Sequence, residues 1–288
     1  MKSKFILGTA QFGLNYGINN VVGKPSVNES FSILSQAQKS GIQTLDTADA
    51  YGSACDIIST YHENNGAFKV VTKFTYHDGL DIVAHIKSTL DKLRIDKIDT
   101  LLLHRYSDIL NYPFLENVIK ELKTKGYIKD AGVSIYLNDE FKHVIGLDFV
   151  DTIQLPFNLL DNFSKKGELI QLAKSKNKNI HARSIYLQGL FFKPVDTLPL
   201  YLSPLKIYLK KLESIAQKNN ITIQQMALNY VLQNKMIDHV LFGVETLDQL
   251  NENILASQTP FNDHISAQID EIDVIEEHLL NPVNWKLN

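Results

Sequence analysis

The chain has 288 residues, 44% of them apolar and 21% charged, the mix of a compact soluble protein. Its 29 basic and 32 acidic residues leave a net charge of −3 with no Lys/Arg run, which removes the electrostatic case for nucleic acid. The lone cysteine, Cys55, excludes an intramolecular disulfide framework and a multi-cysteine metal site. No apolar stretch approaches the roughly 20 residues that span a bilayer, and the run in MKSKFILGTAQFG is too short for a secretory signal. The expectation is a cytoplasmic protein with neither a membrane nor a nucleic-acid partner.

Short apolar runs alternate with longer amphipathic ones. The strand-like runs are Phe5–Ala10, Gln43–Ala48, Lys69–Phe74, Thr100–Arg105, Asp130–Ile135, Thr152–Phe157, Asn179–Ile185 and His239–Val244. Between and after them lie helical patterns near Glu29–Ser40, Ala54–Glu63, Gly79–Leu93, Phe114–Lys125, Asn138–Val144, Gly167–Lys176, Thr222–Gln233 and Leu247–Ala256. Strands that recur with a helix between them need crossover connections and pair in parallel. Eight such units predict a closed (β/α)8 TIM barrel, and the absence of Gly-x-Gly-x-x-Gly after the first strand counts against a Rossmann sheet. With no linker or low-complexity tract, residues 1–288 read as one domain. Two segments exceed the repeat. Tyr186–Pro204 predicts a long loop after strand seven, followed by an extra helix near Leu205–Asn219. The chain end predicts a helix near Asp263–Leu280 and a tail carrying Trp285, which could plug the barrel bottom.

Polar residues at the C-terminal ends of barrel strands face the site. Asp46, Tyr51, Lys73 and His104 occupy such positions on or after strands two, three and four. A buried lysine must be paired, and adjacent strands would set Asp46 beside Lys73. A lysine ammonium next to a phenol would lower the pKa of Tyr51 towards neutrality and make it a general acid. His104 would donate a hydrogen bond to a carbonyl oxygen. This is equipment for protonating an oxygen as hydride reaches its carbon, and the hydride must come from a cofactor. A Schiff-base aldolase with Lys73 as nucleophile is the competing chemistry, disfavoured because Asp46 would raise the lysine pKa.

At these residues the sequence resembles the aldo-keto reductases. The spacing of Asp46, Tyr51, Lys73 and His104 matches the family tetrad. LGTAQFG, DTADAYG, LLLHR, GYIKDAGVS, TIQLPFN, ARSIYLQGL and FGVETLDQLNENI follow in family order over nearly the whole chain. The resemblance implies a nicotinamide cofactor, usually NADPH with NADH possible, bound on a TIM barrel. It implies Tyr51 as proton donor, Lys73 and Asp46 as its tuning pair, and His104 as orienter of a small-molecule carbonyl substrate. It further implies that Ser134 and Gln154 hold the carboxamide, and that Thr9 and Gln11 approach the cofactor. Ser184 and Leu187–Gly189 would cross its pyrophosphate. Gly243, Glu245, Thr246, Gln249, Glu252 and Asn253 would surround the adenosine end, where a helix N-terminus favours phosphate.

Departures from the family pattern are informative. Cys55 replaces a frequent glutamate and reads as a small buried hydrophobe. Ile135 replaces an asparagine and removes one carboxamide contact. Arg183 stands where an aromatic usually stacks on nicotinamide, and a guanidinium plane can stack too. Glu245 adds negative charge where NADPH-dependent members are basic, which suits a free ribose hydroxyl better. Tyr16, Tyr51, Tyr106, Phe157, Tyr186 and Trp285 are expected to line the substrate pocket of an aldehyde, ketone or keto-sugar reductase. LGTAQFGLNYGI and ARSIYLQGL are similar to bacterial members of surface-sugar pathways. The alternatives are a slow-turnover regulatory subunit, like potassium-channel β subunits, and an NAD-dependent alcohol or sugar dehydrogenase.

Overall fold

The computed structural model describes residues 4–285. Eight parallel strands close on themselves in sequence order: β1 (Phe5–Gly8), β2 (Thr44–Asp46), β3 (Lys69–Phe74), β4 (Ile98–Leu103), β5 (Ile128–Ser134), β6 (Thr152–Pro156), β7 (Asn179–Arg183) and β8 (His239–Gly243). The (β/α)8 expectation holds. A one-turn helix α1 (Ala10–Gly13) follows β1, and α2 (Val27–Lys39), α3 (Ala54–Asn64) and α4 (Ile82–Leu93) come next. The ring continues with α5 (Ser107–Asn111), α6 (Leu115–Thr124), α7 (Asn138–Ile145) and α8 (Phe163–Ser175). It ends with α9 (Lys206–Lys218), α10 (Ile223–Leu232), α11 (Leu247–Ala256) and α12 (Asp263–Asp270). Among the described residues, no helix is long and apolar enough to cross a membrane.

Residues two apart on a strand share a face. That period puts Ile6, Val71, Leu102 and Leu241 inside the barrel, where they form a small cluster separate from the large core between sheet and helices. Gly132 belongs to the same layer, and any Cβ there would come within 1.9 Å of the Thr152 carbonyl oxygen. The strand borders read from sequence run past most of the observed ends. At β7 the reason is visible: Ser184 takes φ +57°, which no strand residue adopts, and turns the chain over the barrel mouth.

The chain end departs from expectation. A single helix over Asp263–Leu280 was expected, but α12 stops at Asp270 and two 3-10 turns, Glu277–Leu280 and Pro282–Asn284, follow. The Asn162 side chain donates to the Ile269 carbonyl at 2.9 Å and the Ile272 carbonyl at 3.0 Å, and Ile272 N tightens onto Ile269 at 3.0 Å, so the helix end is closed onto the segment before α8. Ile272 and Val274 are buried while Asp273 and Ile275 are exposed, the alternation of an extended segment. The tail lies along α8 and α9 through Lys165 to Asp273 and Glu277, both at 2.8 Å, and Tyr208 Oη to Glu276 at 3.0 Å. It clips the flank of the barrel instead of plugging its bottom. Residues 286–288 lie outside the described residues.

His181 on β7 meets His239 on β8, with ring centroids 4.8 Å apart at 84°. Burial first, then the neighbouring imidazole, holds His181 well below its ordinary range, and burial lowers His239 as well. His181 stays neutral in the folded protein and His239 is held below its ordinary value, whereas the unfolded chain protonates both near pH 6.5. Below that pH the unfolded state binds more protons, so stability falls as pH drops, by up to about 1.4 kcal/mol per pH unit from His181 with a smaller share from His239. Thermal unfolding midpoints should therefore fall between about pH 7 and pH 5, and His181→Gln should show a shallower slope than wild type. Parallel slopes would rule the pair out as the source.

Candidate active site

Each of the eight strands delivers one inward residue to the floor of a cavity of about 360 Å³ at the barrel mouth. These are Gly8, Asp46, Lys73, His104, Ser134, Gln154, Arg183 and Gly243. Seven stand two residues beyond an inward member of the layer below or at the matching strand end, so the period-two rule that packs the barrel also aims the site. His104 sits just past β4, two residues after Leu102, and its backbone N–H donates to the Phe74 carbonyl at 2.9 Å.

Lys73 is fully enclosed, and its three ammonium hydrogens have three acceptors. Nζ donates to Asp46 Oδ1, to the Thr47 carbonyl at 3.1 Å and to Tyr51 Oη at 3.5 Å. The other Asp46 oxygen, Oδ2, accepts from Gln154 Nε2 at 2.8 Å. Tyr51 thus receives a hydrogen bond from lysine while its own hydrogen stays free. Tyr51 is held by a close approach of two loops. A Cβ on Gly13 would lie 1.7 Å from the Tyr51 carbonyl oxygen, and Gly52 takes φ +52° against Gly13. The Tyr51 and His104 rings meet edge-on with centroids 6.2 Å apart.

The electrostatics correct one expectation. Tyr51 does not fall towards neutrality: burial first, and then the Asp46 carboxylate, push its phenol up. The ammonium that would have lowered it is already matched by Asp46. Burial likewise draws Lys73 below its usual range, against the pull of Asp46. His104 is lowered to about 4 by burial and by Lys73. Tyr51 is therefore a protonated phenol and His104 a neutral imidazole at neutral pH.

Most of the expected site residues converge on this cavity: Gln11, Ser184, Gly189, Glu245, Gln249, Glu252 and Asn253 line it together with the floor residues. Three do not. Thr9 Oγ1 donates to the Asp46 carbonyl at 2.9 Å and so braces β2 from behind. Leu187 is wholly buried, and Thr246 caps α11 by accepting from Gln249 N at 3.2 Å. Of the expected pocket aromatics, Tyr16, Tyr51 and Tyr186 line the cavity. Tyr106 instead bonds His143 at 2.9 Å, Phe157 is buried against Tyr230, and Trp285 donates to the Leu279 carbonyl at 2.8 Å within the tail. Cys55 is buried beside Thr47, its thiol pushed up by burial.

Gln188, within the expected Leu187–Gly189 stretch, lines the cavity, and so do Tyr136, Asn19 and Gln224, which were not anticipated. Tyr136 follows the end of β5, so the strand-end rule could have found it. Asn19 comes from the loop after β1, which meets the loop after β7: Ile18 N donates to the Gln188 carbonyl at 3.0 Å, and Gln188 Nε2 to Tyr16 Oη at 3.0 Å. Gln224, at the start of α10, has no sequence signal.

The residues fit a nicotinamide nucleotide. Gln154 Oε1 is buried without a partner beside Ser134, an acceptor placed for a carboxamide N–H. A Cβ on Gly243 would lie 2.2 Å from Gln11 Oε1, so the glycine makes room for the Gln11 amide at the cavity wall.

The His104 environment is directly measurable. Its imidazole carbon resonances should titrate with a midpoint near 4 and stay flat between about pH 8 and pH 6. A midpoint at the ordinary value of about 6.5 would contradict the burial and charge assigned to it.

The model of the Aldo/keto reductase family matches residues 4–274. An uncharacterized oxidoreductase, YqkF, of Bacillus subtilis is 25% identical over 256 residues, 80% of this chain and 82% of that protein. The L-galactose dehydrogenase of Arabidopsis thaliana is 25% identical over 264 residues, 83% of this chain and 81% of that protein. The solved structure of the aldo-keto reductase AKR11C1 from Bacillus halodurans, in its holo form, superposes with a TM-score of 0.75. It is 21% identical, over 96% of this chain and 95% of that one. The eight-stranded barrel, the polar residues gathered at its mouth and the match across nearly its whole length have one meaning: the chain belongs to the aldo/keto reductase family, the NAD(P)H-dependent oxidoreductases.

Proposed function

We propose that the chain, residues 1–288 acting as one barrel domain, reduces a small carbonyl compound with NADH in preference to NADPH. Tyr51 gives the proton. The observation that carries this reading is the hydrogen-bond accounting around Lys73: all three of its hydrogens are engaged, and the only free hydrogen in the Lys73–Tyr51 pair is the phenolic one. A substrate oxygen next to Tyr51 accepts that hydrogen as negative charge develops on it. The adjacent ammonium then stabilises the phenolate left behind. His104, neutral, donates its ring N–H to the same oxygen and fixes its direction. The same accounting disfavours Lys73 as a Schiff-base nucleophile, since a lysine held by three acceptors has no lone pair to offer.

The cofactor, when bound, supplies hydride to the carbonyl carbon. Gln154 Oε1 and Ser134 would hold its carboxamide. Ser184 and Gly189 would border its diphosphate. At the adenosine end the cavity is lined by Glu245, Gln249, Glu252 and Asn253. Among the described residues, the only Lys or Arg side chains lining the cavity are Lys73 and Arg183, both on its floor. A 2′-phosphate would enter beside carboxylates without a matching cation, whereas a ribose hydroxyl can donate to one. Family habit leans to NADPH; the charge at this end favours NADH.

Fluorescence titration should give a lower Kd for NADH than for NADPH, and Glu245→Ser should narrow the ratio. An unaltered ratio would sink the charge argument. Tyr51→Phe should reduce turnover by about 100-fold or more while cofactor affinity stays within a few-fold. Wild-type turnover in that variant would refute Tyr51 as proton donor.

A further inference from the structure

Arg183, at the end of β7, has an unusual position for a cation. Its Nη2 donates to the Ile135 carbonyl at 2.9 Å and its Nη1 to Ser184 Oγ at 3.2 Å. Its guanidinium carbon lies 4.1 Å from the centroid of the Tyr136 ring. These contacts fix the plane of the group, and all its acceptors are neutral. Among the described residues Arg183 forms no ion pair, and three of its five N–H bonds have no partner. The side chain is half-buried and lines the cavity.

The other charges at this end are accounted for. Lys73 is matched by Asp46, and His104 and Tyr51 are neutral. The floor therefore carries one uncompensated positive charge. The cavity's other two carboxylates, Glu245 and Glu252, belong to the turn after β8 and to α11. The Arg183 charge reaches the reacting groups: it acts to lower Tyr51, Lys73 and His104 alike. A half-buried cation without a counter-ion is unfavourable, and an arriving anion removes that penalty through charge-assisted hydrogen bonds to the fork. Tyr136, against which the guanidinium lies, and Tyr16, Ser134 and Gln154, which line the same cavity, are uncharged and do not compete for it.

We propose that Arg183 is the specificity-determining residue of the substrate end, and that the preferred substrate is a small carbonyl compound bearing a carboxylate, such as a keto acid or an aldehydic acid. The inference rests on the nicotinamide-dependent carbonyl reduction proposed above and names its substrate class. The planar fork, pinned at two corners and backed by Tyr136, leaves its remaining N–H bonds for a carboxylate while the carbonyl of the same molecule meets Tyr51 and His104. The other anion that could use these donors is the diphosphate of the cofactor, and the experiment separates the two.

Steady-state reduction by the purified protein with NADH is compared for two pairs of similar length: 4-oxobutanoate against butanal, and glyoxylate against acetaldehyde. The wild type should favour the carboxylate member of each pair in kcat/KM. In Arg183→Gln the carboxylate-to-neutral ratio should fall by roughly 100-fold, the scale of hydrogen bonds to a charged group. Arg183→Lys should recover part of that ratio, since it restores charge without the fork. A wild type that reduces the neutral partners as well as the acids overturns the inference. So does an Arg183→Gln protein whose ratio is unchanged while its Kd for NADH rises more than about tenfold, which would assign the guanidinium to the cofactor's diphosphate. A wild type that binds neither NADH nor NADPH refutes the carbonyl-reductase reading itself, an outcome distinct from reduction without acid preference.

Discussion

The site depends on one buried ion pair. Lys73 and Asp46 are 2% and 1% exposed, and leaving either unpaired in the barrel would cost several kcal/mol. The pair is tolerable because its remaining valences are filled from elsewhere: Gln154 supplies the second hydrogen bond to Asp46, while Thr47 and Tyr51 take the remaining hydrogens of Lys73. These partners come from β2, its following loop, β3 and β6. The pair is therefore satisfied only when strands on both sides of the barrel have taken their places. Its geometry is a product of barrel closure, and local sequence could not provide it alone.

That origin explains what was legible beforehand. The strand rhythm, together with the requirement that Lys73 be paired, was enough to bring Asp46, Tyr51, Lys73 and His104 to one mouth, because period-two alternation is a local property. The direction of the Tyr51 pKa was not legible. It turns on how completely Asp46 neutralises the lysine and how deeply the phenol is buried, both of which are set by distant chain. The same holds for the chain end. The sequence near Asp263–Leu280 reads as helical, but its helix end is closed onto Asn162, more than 100 residues earlier. Trp285 looked like a pocket aromatic because nothing local showed that the tail would fold back upon itself. Arg183 was visible as a departure from the family pattern, but its lack of a counter-ion became evident only once its neighbours were in place.

The cavity is electrically polarised along its length. Its floor, at the strand ends, carries the uncompensated guanidinium beside the uncharged phenol of Tyr51; the wall after β8 carries Glu245 and Glu252. One end thus favours negative charge and the other disfavours it. The loops after β1 and β7 touch across the opening through Gln188 and Tyr16, so the two ends share a single roofed space.

The closure of β1 onto β8 has a consequence for how the protein is made. Lys4 and His239 are hydrogen-bonded across 235 residues of chain. A growing polypeptide leaving the ribosome can form its early strand–helix units in order, but β1 keeps one edge open until β8, more than 230 residues later, has been made. The floor stays open between Gly8 and its register partner Gly243 before that moment. Until β8 arrives the nascent chain carries an exposed strand edge and an incomplete barrel mouth, and one pairing event closes both.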